Sequence, residues 1–129
     1  MELLMPSTMS TEAAIGYAER LYKDDYRHWN APSGWCREAA SLLLHAFGIE
    51  AQAYHYSVTC RRDHGPNWNY DHATGGHDIE HVVVVYKGLA FDLTRGQFGK
   101  GMKRIIGEDV SILEELYGQP VNIQSGQLS

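Results

Sequence analysis

The sequence predicts an α+β domain in which a central helix packs on a small antiparallel sheet. Two observations carry this. Residues Trp35 to Phe47 are apolar around most of a helical circumference, the mark of a helix packed on more than one side. Val82-Val83-Val84-Val85, then Lys87-Gly88, then Leu89-Ala90-Phe91-Asp92-Leu93, reads as two antiparallel strands joined by a two-residue turn. The whole chain, residues 1–129, is sized for a single domain with one core.

The first helix opens at Ser10-Thr11. It carries Ala14, Tyr17, Ala18, Leu21 and Tyr22 at helical spacing and closes in Lys23-Asp24-Asp25. Asn30 to Gly34 has the composition of a turn. Ser33 is the expected N-cap of the second helix, which runs to Phe47 and stops at Gly48, so Cys36 falls in its first turn. Glu50 to Thr59, rich in Tyr, Val and Ala, reads as a strand. The polar stretch from Arg61 to Asp78 holds Gly65-Pro66, Gly75-Gly76 and the histidines His64, His72 and His77; a loop of that length is expected to be functional. Ile79 to Tyr86 is the clearest strand, buried on both faces. Arg95 to Lys100 is glycine-rich and irregular, Lys103 to Ile106 a short strand, and Glu108 to Tyr117 a short final helix. Residues 118–129 have little to bury and are expected to fray.

Composition narrows the function classes. With 43% hydrophobic and 21% charged residues the chain is a globular type rather than a disordered one. A net charge of -5, with no Lys/Arg stripe, argues against a nucleic-acid partner. No apolar run approaches the ~20 residues of a membrane-spanning helix. Met1 to Ser10 lacks a basic n-region and a long apolar h-region, so no signal peptide and a reduced, cytoplasmic setting are expected. Cys36 and Cys60 are too few for a disulfide scaffold.

The chemistry centres on Cys36. A thiol is a strong nucleophile only as thiolate, which helix N-termini and a neighbouring imidazolium both favour. The plainer alternative is a small buried hydrophobe, the usual fate of a free cysteine. Hairpin geometry supplies the imidazole. If Lys87-Gly88 is the turn, Tyr86 faces Leu89, Val83 faces Asp92 and His81 faces Thr94. His81 and Val83 share a face, so Asp92 lies one diagonal step from His81. A slip of one residue would separate them. An unpaired carboxylate between Phe91 and Leu93 would be costly, which favours His81 as its partner.

Cysteine at the start of an apolar helix, histidine opening a valine-rich strand and aspartate on the next strand resemble papain-like thiol hydrolases. His81-Val82-Val83-Val84-Val85 with Phe91-Asp92-Leu93-Thr94-Arg95-Gly96-Gln97-Phe98 is most similar to bacterial papain-fold toxins and protein glutamine deamidases, over roughly Asn30 to Phe98. The resemblance implies a papain-like fold and a Cys-His-Asp triad: Cys36 as nucleophile, His81 as base, Asp92 as the carboxylate that orients it. It also implies Asn30 as an oxyanion donor, in the place of the family's glutamine, and Trp35, which precedes rather than follows the cysteine. Trp35 and the loop residue His77 are the candidates for substrate contact. The implied reaction is hydrolysis of an amide bond of a protein or peptide, as deamidase, peptidase or isopeptidase, with no metal and no cofactor.

Two other readings stand beside this one. His64, His72, His77 and His81 with Asp63, Asp71, Asp78 and Cys60 could form a zinc site, although on a strand His77 and His81 would lie ~13 Å apart. A non-catalytic papain-like domain could bind a protein partner through Tyr54, Tyr56, Trp68 and Tyr70.

Overall fold

The structure, a computed structural model, describes residues 9–24, 36–61, 76–95 and 103–125. In chain order the elements are α1 (Thr11–Asp24), α2 (Cys36–Phe47), β1 (Ala51–Arg61), β2 (Gly76–Tyr86), β3 (Leu89–Asp92), β4 (Ile105–Asp109), α3 (Ile112–Tyr117) and β5 (Asn122–Ser125). The strands form one antiparallel five-stranded sheet in the order β4-β3-β2-β1-β5. The architecture is α+β, with the cysteine-bearing helix laid on β1 and β2.

Local chemistry accounts for the element ends. Ser10 Oγ accepts the N–H of Ala13 at 3.1 Å and caps α1. The N–H of Gly48 reaches the carbonyl of Leu44 at 3.0 Å and closes α2 where the sequence predicts its stop. Lys87 and Gly88 have φ of 53° and 80°, the two left-handed residues of a type I′ turn, whose twist suits a two-residue hairpin. That turn fixes the register Tyr86–Leu89, Val85–Ala90 and Val84–Phe91, the one expected from the sequence.

The sheet is buried on both faces. Ala51, Ala53, Val82, Val84, Tyr86 and Phe91 meet α1 and α2 in the larger core. There the Phe47 ring lies 4.8 Å from that of Tyr86 and 5.0 Å from that of Phe91. The Tyr86 hydroxyl donates to the carbonyl of Met9 and ties the start of α1 to the sheet. On the opposite face Tyr56, Val83, Val85, Ala90 and Ile105 pack under Leu113 of α3. Alternation along β2 explains why all four valines are buried.

A bulge joins the edge of the sheet to α1. Pairing of β3 with β4 passes from Ala90–Glu108 to Phe91–Ile106, skipping Gly107. Gly107 has φ 75°, and a Cβ there would lie 2.5 Å from Cγ1 of Ile15. Glycine is what lets α1 close onto β4.

Several expectations are corrected. The β1–β2 ladder runs past the apolar segments: Gly76, His77 and Asp78 pair with Arg61, Cys60 and Thr59. Backbone pairing continues without apolar side chains, so the hydrophobic pattern ends the strands too early. The last helix begins at Ile112 rather than Glu108, because Glu108 and Asp109 extend β4. Asp109 Oδ1 then accepts the N–H of Ser111 at 2.9 Å and turns the chain into α3. Finally, 122–125 form the edge strand β5 on β1 instead of fraying. No helix of the described residues is long and apolar enough to cross a membrane.

Candidate active site

Cys36 opens the described part of α2 and is a free, buried thiol. Its packing neighbours are those of the helix-side core, whereas His81 and Asp92 share the opposite face with Val83, Val85 and Ala90. The two sides meet where the sheet narrows. The β2–β3 ladder runs from Tyr86 to Val84, and at His81 and Glu80 β2 pairs with β1. At that level Cys36 Sγ lies 3.8 Å from the carbonyl oxygen of Glu80 and close enough to the His81 side chain to favour its protonated form.

His81 is held from the other direction by Asp92. Nε2 lies 2.8 Å from Asp92 Oδ2, and both side chains are wholly withdrawn from solvent. An ionised carboxylate only accepts, so Nε2 carries a proton and Nδ1 is the nitrogen left for the thiol. Burial alone would lower the proton affinity of this imidazole. The charge and hydrogen bond of Asp92, with a smaller contribution from Cys36, outweigh burial and raise its pKa to about 9.

Asp92 has a second partner. The Tyr117 hydroxyl donates to the same oxygen, Oδ2, at 2.6 Å, and Oδ1 is buried with no hydrogen-bond partner among the described residues. The Tyr117 ring lies 5.3 Å from the imidazole and 5.1 Å from the ring of Tyr56. Burial, then the charge of Asp92, push the Tyr117 hydroxyl pKa well up, so it remains a donor at any ordinary pH. Tyr56, the cross-strand partner of His81, is raised to about 12 by burial, Tyr54 and Asp92.

Glu80 braces the helix-side approach. Its carboxylate takes His55 Nδ1 at 2.8 Å and Arg37 Nη1 at 3.6 Å, linking α2 to β1 and β2 beside the thiol. His55 Nε2 in turn lies 3.2 Å from Gln124 Oε1 of β5.

The structure therefore brings together Cys36, His81 and Asp92 and adds Tyr117, which the sequence reading passed over. One signal was present: Leu113 and Tyr117 are four apart, so both turn toward the sheet. Asn30 and Trp35 lie outside the described residues. His77, expected in a loop, is a β2 residue opposite Cys60. Among the described residues no group of three or more His, Cys, Asp or Glu could hold a metal, while Asp63, His64, Asp71 and His72 lie outside them. Of the proposed interface aromatics, Tyr56 is core and Tyr54 half-buried; Trp68 and Tyr70 lie outside the described residues. Compared with known protein families, curated proteins and solved structures, the chain matches none.

Proposed function

We propose that this chain is a cysteine hydrolase of papain-like type that cleaves an amide bond of a protein or peptide through Cys36, His81 and Asp92. The observation that supports it is a buried His81–Asp92 pair, 2.8 Å between Nε2 and Oδ2, beside a buried thiol at Cys36 whose Sγ lies 3.8 Å from the carbonyl of the neighbouring Glu80. A buried thiol packed only for volume requires no imidazole beside it, and a buried imidazole requires no carboxylate at hydrogen-bond distance.

In the proposed reaction His81 Nδ1 takes the thiol proton, giving a thiolate–imidazolium pair that Asp92 stabilises. The thiolate attacks the amide carbonyl carbon. A C–S bond forms, and the electron pair of C=O moves to oxygen. The Cys36 backbone N–H is the oxyanion donor, with Asn30 as the second donor that the family resemblance implies. The imidazolium then protonates the leaving nitrogen as the C–N bond breaks, leaving a thioester. Water, deprotonated by His81, attacks the thioester, the C–S bond breaks, and a carboxylate and the free thiol result. Ammonia as leaving group makes the enzyme a glutamine deamidase; a peptide or lysine amine makes it a peptidase or isopeptidase.

The test is iodoacetamide alkylation followed by peptide mass spectrometry, with Cys60 as internal control. Cys36 should alkylate at pH 6 at least tenfold faster than the control, and His81→Ala should remove that difference. Equal rates for the two cysteines across the pH range would sink the proposal. Ammonia release and peptide cleavage from casein, in wild type against Cys36→Ala, then assign the leaving group.

A further inference from the structure

We propose that Tyr117 is a positioning residue of this site, its hydroxyl holding Asp92 Oδ2 in line with His81 Nε2 so that the imidazole presents Nδ1 to Cys36. The inference rests on the same Cys36–His81–Asp92 reading and adds the residue that fixes its geometry.

The argument starts from the carboxylate. Asp92 Oδ2 accepts two hydrogen bonds, from His81 at 2.8 Å and Tyr117 at 2.6 Å, whereas Oδ1 is buried with none among the described residues. With His81 as its only partner, such a carboxylate could turn about its Cβ–Cγ bond and offer either oxygen. A second donor on Oδ2 removes that freedom. A carboxylate can only accept, so the Tyr117 hydroxyl is the donor of this bond and its proton is aimed at Asp92. The same oxygen meets the phenol proton from one side and the imidazole proton from the other. The Tyr117 ring, 5.3 Å from the imidazole, also screens it from water.

The groups that face His81 come from every element around it. They are Asp92 of β3, Cys36 of α2, Tyr56 of β1 and Tyr117 of α3. Tyr117→Phe keeps the ring and deletes only the hydroxyl. The buried carboxylate then loses one of its two donors, and its alignment on Nε2 is looser. That loosening lowers the proton affinity of His81.

The experiment follows the His81 ring by NMR of labelled histidine across the pH range, and Cys36 alkylation in the same proteins. In Tyr117→Phe the His81 midpoint should fall by roughly one pH unit, and alkylation at pH 6 should slow about tenfold. In an Asp92→Asn background Tyr117→Phe should have no further effect. That last result separates action through Asp92 from a merely structural role. An unchanged His81 midpoint in folded Tyr117→Phe, or a shift that persists with Asn at 92, overturns the proposal. If wild-type Cys36 alkylates no faster than Cys60 yet the midpoint still falls in Tyr117→Phe, the positioning role stands and the hydrolase reading falls. If Cys36 is reactive and Tyr117→Phe changes neither readout, the hydrolase reading stands and the positioning role falls.

Discussion

His81 Nε2 lies 2.8 Å from Asp92 Oδ2, and neither side chain touches solvent. The pair makes the stability of the fold depend on pH. The His81 value is raised from 6.5 to about 9, so the folded chain binds a proton that the unfolded chain releases sooner. The contribution is complete below about pH 6.5 and is lost as pH rises through about 9. Urea midpoints should therefore fall between those limits, by on the order of 2–3 kcal/mol in unfolding free energy. His81→Gln should flatten the dependence.

Removing one partner of this pair is a different perturbation from titrating it. Asp92→Ala leaves a buried imidazole facing an unfilled cavity and strips Tyr117 of its acceptor. A loss of about 3–5 kcal/mol is expected by chemical denaturation. Replacing Asp92 by Asn, which keeps the shape and one acceptor, should cost less than half of that. Equal losses for the two variants would show that charge rather than volume decides the effect.

The register that brings Asp92 to His81 depends on the turn. At Gly88, φ is 80° and a Cβ would meet nothing within 4 Å, so Gly88→Ala carries a backbone penalty alone. The expected cost is about 1–2 kcal/mol. At Lys87, φ 53°, Lys87→Asn should stabilise by roughly 0.5 kcal/mol, since asparagine tolerates that region better. Thermal melts of both variants check the signs.

Gly107→Ala should be worse than Gly88→Ala. It combines the left-handed backbone with a Cβ 2.5 Å from Ile15 Cγ1, so α1 must move or the bulge must open. A loss of about 3 kcal/mol follows from the backbone and overpacking costs together. Trimming the obstacle with Ile15→Ala should be less damaging in the Gly107→Ala background than in wild type, and a double-mutant cycle measures that coupling.

What could be read from the sequence was what local chemistry fixes. Lys87-Gly88 can close only one two-residue hairpin register, and that register puts Asp92 beside His81. The buried valines and the Gly48 stop are equally local signals. Tyr117 was not legible in that way, because its hydroxyl bond to Asp92 joins residues 25 apart through the docking of a six-residue helix. β5 was hidden for another reason. Asn122-Ile123-Gln124-Ser125 has little apolar character, and its place is set by the unpaired edge of β1 and by polar contacts such as Gln52 Nε2 to Ser125 Oγ at 3.4 Å. The start of β2 at Gly76 was missed likewise, since backbone pairing does not follow hydrophobicity.

The meeting of the two sides of the sheet has a consequence for the order of events during folding. The thiol arrives with α2, the imidazole with the middle of the sheet, the carboxylate with the hairpin, and the phenol with a helix near the end of the described chain. Contacts spanning 44, 11 and 25 residues must all form before the four groups meet. On the proposed chemistry, a chain still emerging during synthesis, or one nicked before α3, carries an ordinary cysteine. Reactivity becomes a property of completion: the thiol is fully armed only once Tyr117 has been placed on Asp92.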